Sequence, residues 1–214
     1  MTVRGRSNSV PLVGGVGKAF GAYRCRRSRR FLESKSTFDA SNLEKLVYNW
    51  DGFDYNPMTT LNSEKLAALA KDLTKDYPRS PRELLAGYII GMRTLDKCRA
   101  ALNNSLGEYH FDCPVDAMFF EFTGTTADQF KDFVATGAND QEVAEWVQKH
   151  AKPRERIEII KWNNGLRYKR LSEMDDGIQE YMEDYIPQFV PKHLQHHIDY
   201  FFDIYDAEEK RMET

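Results

Sequence analysis

The sequence has no apolar run near the roughly 18 residues that a membrane-spanning helix needs, and its mean hydropathy is −0.63. Cysteine is scarce, three in 214 residues. An odd count this small does not make a secreted disulfide framework, so the reading is a soluble protein of the reducing cytoplasm. No segment repeats itself, and no stretch of strict apolar and polar alternation is long enough for a sheet core. A phosphate loop is missing too. In Gly14-Gly15-Val16-Gly17-Lys18, Leu12 stands where the first glycine of that loop belongs, and Ala19 replaces the Ser or Thr that would hold magnesium. What is present is 41% hydrophobic and 13% aromatic content, enough for a packed core and too much for a disordered or collagen-like chain.

The net charge of −3 averages two unlike parts. Residues 1–35 hold nine basic residues against Glu33 alone, a net +8, which leaves the rest at −11. Three readings fit the basic start. As a nucleic-acid arm it interleaves Phe20, Tyr23 and Phe31 with its arginines, without a folded platform to present them. As a targeting peptide its apolar stretch, Val10 to Val16, is short and broken by Pro11 and glycines. The third reading makes residues 1–57 a disordered leader upstream of a start at Met58, with 58–214 as a helical domain. The acidic remainder disfavours nucleic-acid or acidic-membrane binding by the folded part.

From Met58 onward the punctuation is helical. Leu66, Leu69 and Leu73 predict a short amphipathic helix ending before Tyr77-Pro78. Ser80-Pro81-Arg82-Glu83 has the form of a helix start, with an N-cap serine, proline at the first position and a returning glutamate. The helix it opens would carry Leu84, Tyr88, Gly91, Leu95, Cys98 and Leu102 on one face, with Gly87 and Gly91 admitting a close neighbour. An irregular loop or small hairpin is expected near 104–113. Pro114 then starts an apolar helix closed by Gly124. Further helices are predicted over Thr126–Ala135 and over Asp140–His150, each with a polar cap, then from Pro153 toward Trp162, through Met174 to Tyr185, and from Leu194 to Tyr205. The fold class is all-α, a single compact domain of about seven helices.

Chemistry concentrates between Asp96 and Asp116, in DKCRAALNNSLGEYHFDCPVD. His110 and Cys113, with Cys98 arriving from the helix, supply three metal ligands, one short of a structural zinc site. Alternatively Cys113, directly before Pro114, sits at a helix N-terminus that favours a thiolate, with His110 as base and Asp116 beside it. Against both stands a plainer account, in which Cys98 is a small buried hydrophobe, Asp112 or Cys113 caps the next helix, and Tyr109 and His110 satisfy loop backbone. Arg79 and Arg82 flank a helix start and could fix an anion, or simply pair with acids. His193, His196 and His197 have metal-capable spacing but no fixed acid or thiol partner. Asp203, Asp206, Glu208 and Glu209 read as a solvated acidic end.

The strings YPRSPRE, LDKCRA and GEYHFDCPVD, with NDQEVAEWV and the closing HIDYFFDIYDAEEKR, carry a resemblance. Over residues 72–211 the chain resembles a mainly bacterial family known as domain of unknown function 5069. The resemblance implies no activity, cofactor or catalytic residue. It does mark Pro78, Arg79, Ser80, Pro81, Arg82, Asp96, Lys97, Cys98, Arg99, Gly107, Glu108, Tyr109, His110, Cys113, Pro114 and Asp116 as positions that match its motifs.

Two functional expectations follow. One is a pocket for a small anionic ligand or a metal. In it His110, Cys113 and Asp116 are the candidate catalytic groups, Arg79, Arg82, Asp96, Arg99, Glu108 and Tyr109 the candidate ligand contacts, and Cys98, His110 and Cys113 the candidate metal ligands. The other is a non-catalytic interaction module that packs on a protein partner or a second copy through Phe119 to Phe122 and Tyr200 to Tyr205. The sequence names no cofactor.

Overall fold

A computed structural model of the chain describes residues 57–212. The expectations for the basic leader fall almost wholly outside these residues. Within them the protein is all-α, with eight helices: α1 (Pro57–Leu69), α2 (Gly91–Leu102), α3 (Pro114–Thr123), α4 (Ala127–Val134), α5 (Asp140–His150), α6 (Arg156–Arg167), α7 (Asp176–Phe189) and α8 (Phe201–Glu208). No helix among the described residues is long and apolar enough to cross a membrane.

The expected caps set several boundaries. Thr126 Oγ1 accepts from Gln129 N while Gln129 Oε1 accepts from Thr126 N, which starts α4. Asn139 and Glu142 make the same reciprocal pair at the head of α5. Gly124 takes a left-handed φ of 73° and closes α3.

Elsewhere the structure corrects the sequence reading. No helix runs from Pro81 to Leu102. The capping contacts of Ser80 do form, with Arg82 N donating to Ser80 Oγ and Ser80 N to Glu83 Oε1, but they fold only a single turn. Leu85 and Tyr88 then exchange backbone bonds in a tight hairpin, and Ala86, Gly87 and Ile90 have positive φ, which a right-handed helix cannot contain. Asn163 on α6 clamps this turn, its Oδ1 accepting from Ile89 N and its Nδ2 donating to Gly87 O at 2.8 Å. Leu84 therefore leaves the expected apolar face and lies exposed.

Smaller shifts have local causes. α1 stops at Leu69, before Leu73, which joins a separate small cluster with Ala100 and Tyr109. α6 starts at Arg156, where Glu158 accepts from Glu155 N, rather than at Pro153. α7 runs on through Pro187, whose missing N–H costs one bond in the last turn. The last helix begins at Phe201 instead of Leu194, because Asp203 Oδ2 accepts from both Tyr200 N and Asp199 N and fixes the start there.

The core gathers Phe119, Phe120 and Phe130 in edge-to-face contacts, flanked by Tyr88 and by Phe122 stacked on Trp162 at 4.3 Å. Phe119 and Phe120 of α3, and Phe201 and Phe202 of α8, are buried in it. Those four rings, of the seven in the stretches expected to meet a partner, are spent inside the molecule. Of the two glycines expected to admit a neighbour, only Gly91 does. A Cβ there would sit 2.7 Å from Leu85 Cβ and 3.1 Å from the Phe119 ring, whereas Gly87 faces open space and is needed for its φ of +91°. Gly91→Ala should therefore destabilise the protein by about 1–3 kcal/mol despite alanine's better helix propensity, as an overpacked core contact does. Chemical denaturation of the two proteins measures this, and equal or greater stability of the alanine variant would show that the contact is loose.

Candidate functional site

The centre of the molecule is α2, and its charged residues are inside. Arg93, Asp96, Lys97 and Arg99 are each 2% exposed or less, together with Leu95, Cys98 and Ala100. Burying a charge is costly unless a partner and hydrogen bonds replace its water. Each one has such a partner, and each partner comes from a different part of the chain.

Arg93 makes a two-pronged pair with Glu209, at 2.8 and 2.7 Å, and its guanidinium lies over the rings of Tyr205 (4.8 Å) and Tyr109 (5.5 Å). Tyr109 Oη donates to the same Glu209 carboxylate at 3.0 Å. Asp96 accepts from the Arg79 backbone N–H and from its Nε and Nη2. Arg79 reaches on to Asp140 at 2.5 Å, and Arg99 joins Asp140 from the other side at 2.6 Å while donating to Ala138 O. Arg82 holds Asp203 at 2.7 Å and also pairs with Asp206, which accepts in addition from Ser80 Oγ. The acidic end read as solvated is thus largely a set of buried or nearly buried counter-ions: Asp203, Asp206 and Glu209 are each no more than 9% exposed. The guanidiniums of Arg79, Arg82 and Arg99, the expected anion contacts, are all engaged with carboxylates of the protein itself.

Lys97 is the most enclosed cation. Its ammonium meets Asp116 Oδ1 at 2.8 Å, both side chains having no exposure, and it donates to Cys113 Sγ at 3.2 Å. Asp116 also accepts from Thr94 Oγ1 and, through Oδ2, from Cys113 N. Cys113 is the N-cap of α3, in extended conformation immediately before Pro114. Thiol, ammonium and carboxylate are thereby fixed together at a helix N-terminus.

The structure separates the other candidates. His110 is exposed on its loop, its Nδ1 2.7 Å from Tyr109 O, and Glu108 beside it is exposed as well. Cys98 lies in the apolar core, where burial pushes its thiol up to about 12. Among the described residues no group of three His, Cys, Asp or Glu side chains is arranged to hold a metal, so the set Cys98, His110 and Cys113 does not assemble. The histidines at 196 and 197 belong to a short 3₁₀ turn, with their ring centroids 4.0 Å apart and the rings tilted to one another. The group set against Cys113, Lys97, was legible as part of LDKCRA, but its reach across to α3 was not.

A cavity of about 40 Å³ opens beside this cluster. Cys113, Arg93 and Tyr109 line its buried side, and Tyr181 and Tyr185 of α7 with Tyr205 and Glu208 of α8 line the half-buried side. None of these α7 and α8 residues was singled out by sequence as a ligand contact, although Tyr181 and Tyr185 share a helix face by spacing. A larger hollow of about 540 Å³, between α3, α6 and α7, is lined by Phe122, Arg154, Trp162 and Met174 among others and touches none of the candidate catalytic, ligand-binding or metal residues. Phe201 lies in the wall of both.

Residues 75–211 match the family described as a domain of unknown function (DUF5069), and the chain belongs to that family. No curated protein matches it.

The ion pairs make a prediction about acid. Burial pushes Glu209 up, but Arg93 and Arg211 outweigh it and hold the carboxyl below its ordinary 4.5; burial likewise pushes Asp140 up, and Arg79 and Arg99 outweigh it and hold that carboxyl down. A carboxyl lowered on folding contributes stability that is complete above its unfolded value and is lost as pH falls through its folded one. The melting temperature should therefore drop as pH is taken below about 4.5. Glu209→Gln, which strands Arg93, should cost about 3 kcal/mol near neutrality and show a shallower decline in acid. Thermal melts of both proteins across pH check this, and parallel curves would remove Glu209 from the acid response.

Proposed function

We propose that the protein binds a small molecule in the cavity beside Cys113 and that Cys113 is the reactive group there. The observation that carries this reading is the buried Lys97 ammonium 3.2 Å from Cys113 Sγ, at the N-terminus of α3 and at the wall of a cavity. A cation and a helix N-terminus both favour sulfur in its thiolate form, which is the nucleophile. In this reading Lys97, rather than the exposed His110, stabilises the sulfur. Asp116 positions Lys97 and ties the Cys113 backbone N–H, and Thr94 holds Asp116 in turn. Arg93 and Tyr109 shape the buried wall. Cys98 is the internal control, a thiol of the same chain placed in apolar surroundings.

Alkylation of the native protein by iodoacetamide at neutral pH, followed by mass spectrometry of the peptides, tests the reading. Cys113 should form its S–C bond with loss of iodide at least tenfold faster than Cys98, and the Cys113→Ser protein, folded by its circular dichroism, should lose that fast adduct. Equal, slow modification of both thiols in the folded protein would defeat the proposal.

A further inference from the structure

Arg79, Arg82, Arg93, Arg99 and Arg211 each meet a carboxylate of the protein. Arg154, just ahead of α6, does not. Its Nε donates to Phe122 O at 3.1 Å, and its guanidinium lies over the Phe122 ring, 4.1 Å from the centroid. Trp162 stacks on the same ring at 4.3 Å and 5° from parallel, so it takes the other face. The backbone bond and the stack fix the guanidinium in place, while its two terminal nitrogens meet no acceptor among the described residues. A guanidinium held in this way presents a preorganised two-pronged donor edge, and that edge matches a carboxylate.

Arg154 lines the hollow of about 540 Å³ between α3, α6 and α7. That volume lies within the roughly 300–1,000 Å³ of small-molecule sites. Its apolar wall is made by the half-buried Met118, Trp162, Leu166 and Met174, together with the buried Ile178 and Phe201. The other ionised groups of the lining are Lys169, half-buried, and Glu121, Glu173 and Asp175, all three exposed. Water and salt screen exposed carboxylates, so they weigh less at the half-buried guanidinium than their number suggests. They set a limit instead. A ligand with several negative charges would bring some of them against these acids, whereas a single carboxylate can sit on Arg154 with an uncharged body along the apolar wall. We infer that this hollow binds a monocarboxylic acid with an apolar body, its carboxylate paired with both terminal nitrogens of Arg154. Cys113 does not line it, so this site is separate from the one proposed above.

The test uses the full chain with labelled methionine methyls and follows the NMR signals of Met118 and Met174, which both line the hollow. Four probes separate the contributions. Hydrocinnamate carries both the acid and the apolar body, hydrocinnamamide removes the charge, phenethylamine reverses it, and acetate removes the body. Hydrocinnamate should shift both signals saturably, with each of the other three weaker by about tenfold or more. Arg154→Gln, checked for folding by its melting curve, should weaken hydrocinnamate by about tenfold, and Glu121→Gln should not weaken it. Arg154→Lys, which keeps the charge and loses the fork, serves where Arg154→Gln fails to fold. Silence from hydrocinnamate overturns the inference. So does an amide or an amine that binds as tightly as the acid, and so does a hydrocinnamate response that survives loss of the Arg154 fork.

Discussion

The structure depends on the burial of four charges in α2. A helix carrying Arg93, Asp96, Lys97 and Arg99 can enter an interior only if carboxylates and guanidiniums from elsewhere arrive with it. They arrive from the segment around Arg79, from Asp116 on α3, from Asp140 on α5 and from Glu209 beyond α8. Removing one partner from a buried pair typically costs about 3–5 kcal/mol, because the other is left charged and dry. Each pair therefore favours one docking of its segment over every alternative that separates the charges. Apolar contacts such as Phe119 on Phe130 supply attraction without that discrimination, since a shifted ring still buries area.

The site inherits its geometry from this arrangement. Glu209 closes on Arg93 across 116 residues of sequence, and Arg82 closes on Asp206 across 124. Loop-closure entropy grows only logarithmically, about 0.6 kcal/mol for each doubling of length, so the distance along the chain is a small obstacle once a buried pair can form. The closure brings α8 against α2, and with it Tyr205 and Glu208 to the side of Cys113. The contacts that make the C-terminal segment part of the fold are the ones that give the cavity its far wall.

Sequence reading succeeds where the cause is local. The caps at Thr126 and Asn139, the stop at Gly124 and the helix after Pro114 each depend on groups a few residues apart, and each appears as expected. It goes astray where the cause is distant. Ser80-Pro81-Arg82-Glu83 forms its capping contacts, yet the next turn is held in a hairpin by Asn163, 74 residues from Ile89. Periodicity also identified Leu95 and Cys98 as buried while giving no sign that Asp96 and Lys97 between them are buried too. A hydrophobic pattern scores each residue alone, and a buried ion is acceptable only through a partner the pattern cannot see. The candidate site was legible as a crowded loop and a cysteine before a proline. That Lys97 would face Cys113 while His110 faced outward needed the crossing of α2 and α3.

Cys98 and Cys113 show how far environment decides chemistry. They lie 15 positions apart in the sequence, neither is in a disulfide, and both are buried, so exposure alone does not distinguish them. Cys98 is set among apolar side chains on the middle of α2, where a thiolate would lose its water and gain little, and the thiol is favoured. Cys113 is set where the N-terminus of α3 meets the Lys97 ammonium, at the wall of a cavity. Asp116 moderates the second of these by sharing Lys97, yet it is also what makes that cation tolerable at zero exposure. A lysine there without its aspartate would be an unpaired buried charge, which costs more than the fold gains by enclosing it. The carboxylate that weakens the field at the sulfur is therefore the condition for having a field there at all, and the same logic of paired burial that builds the fold also sets the limit on how reactive its cysteine can be.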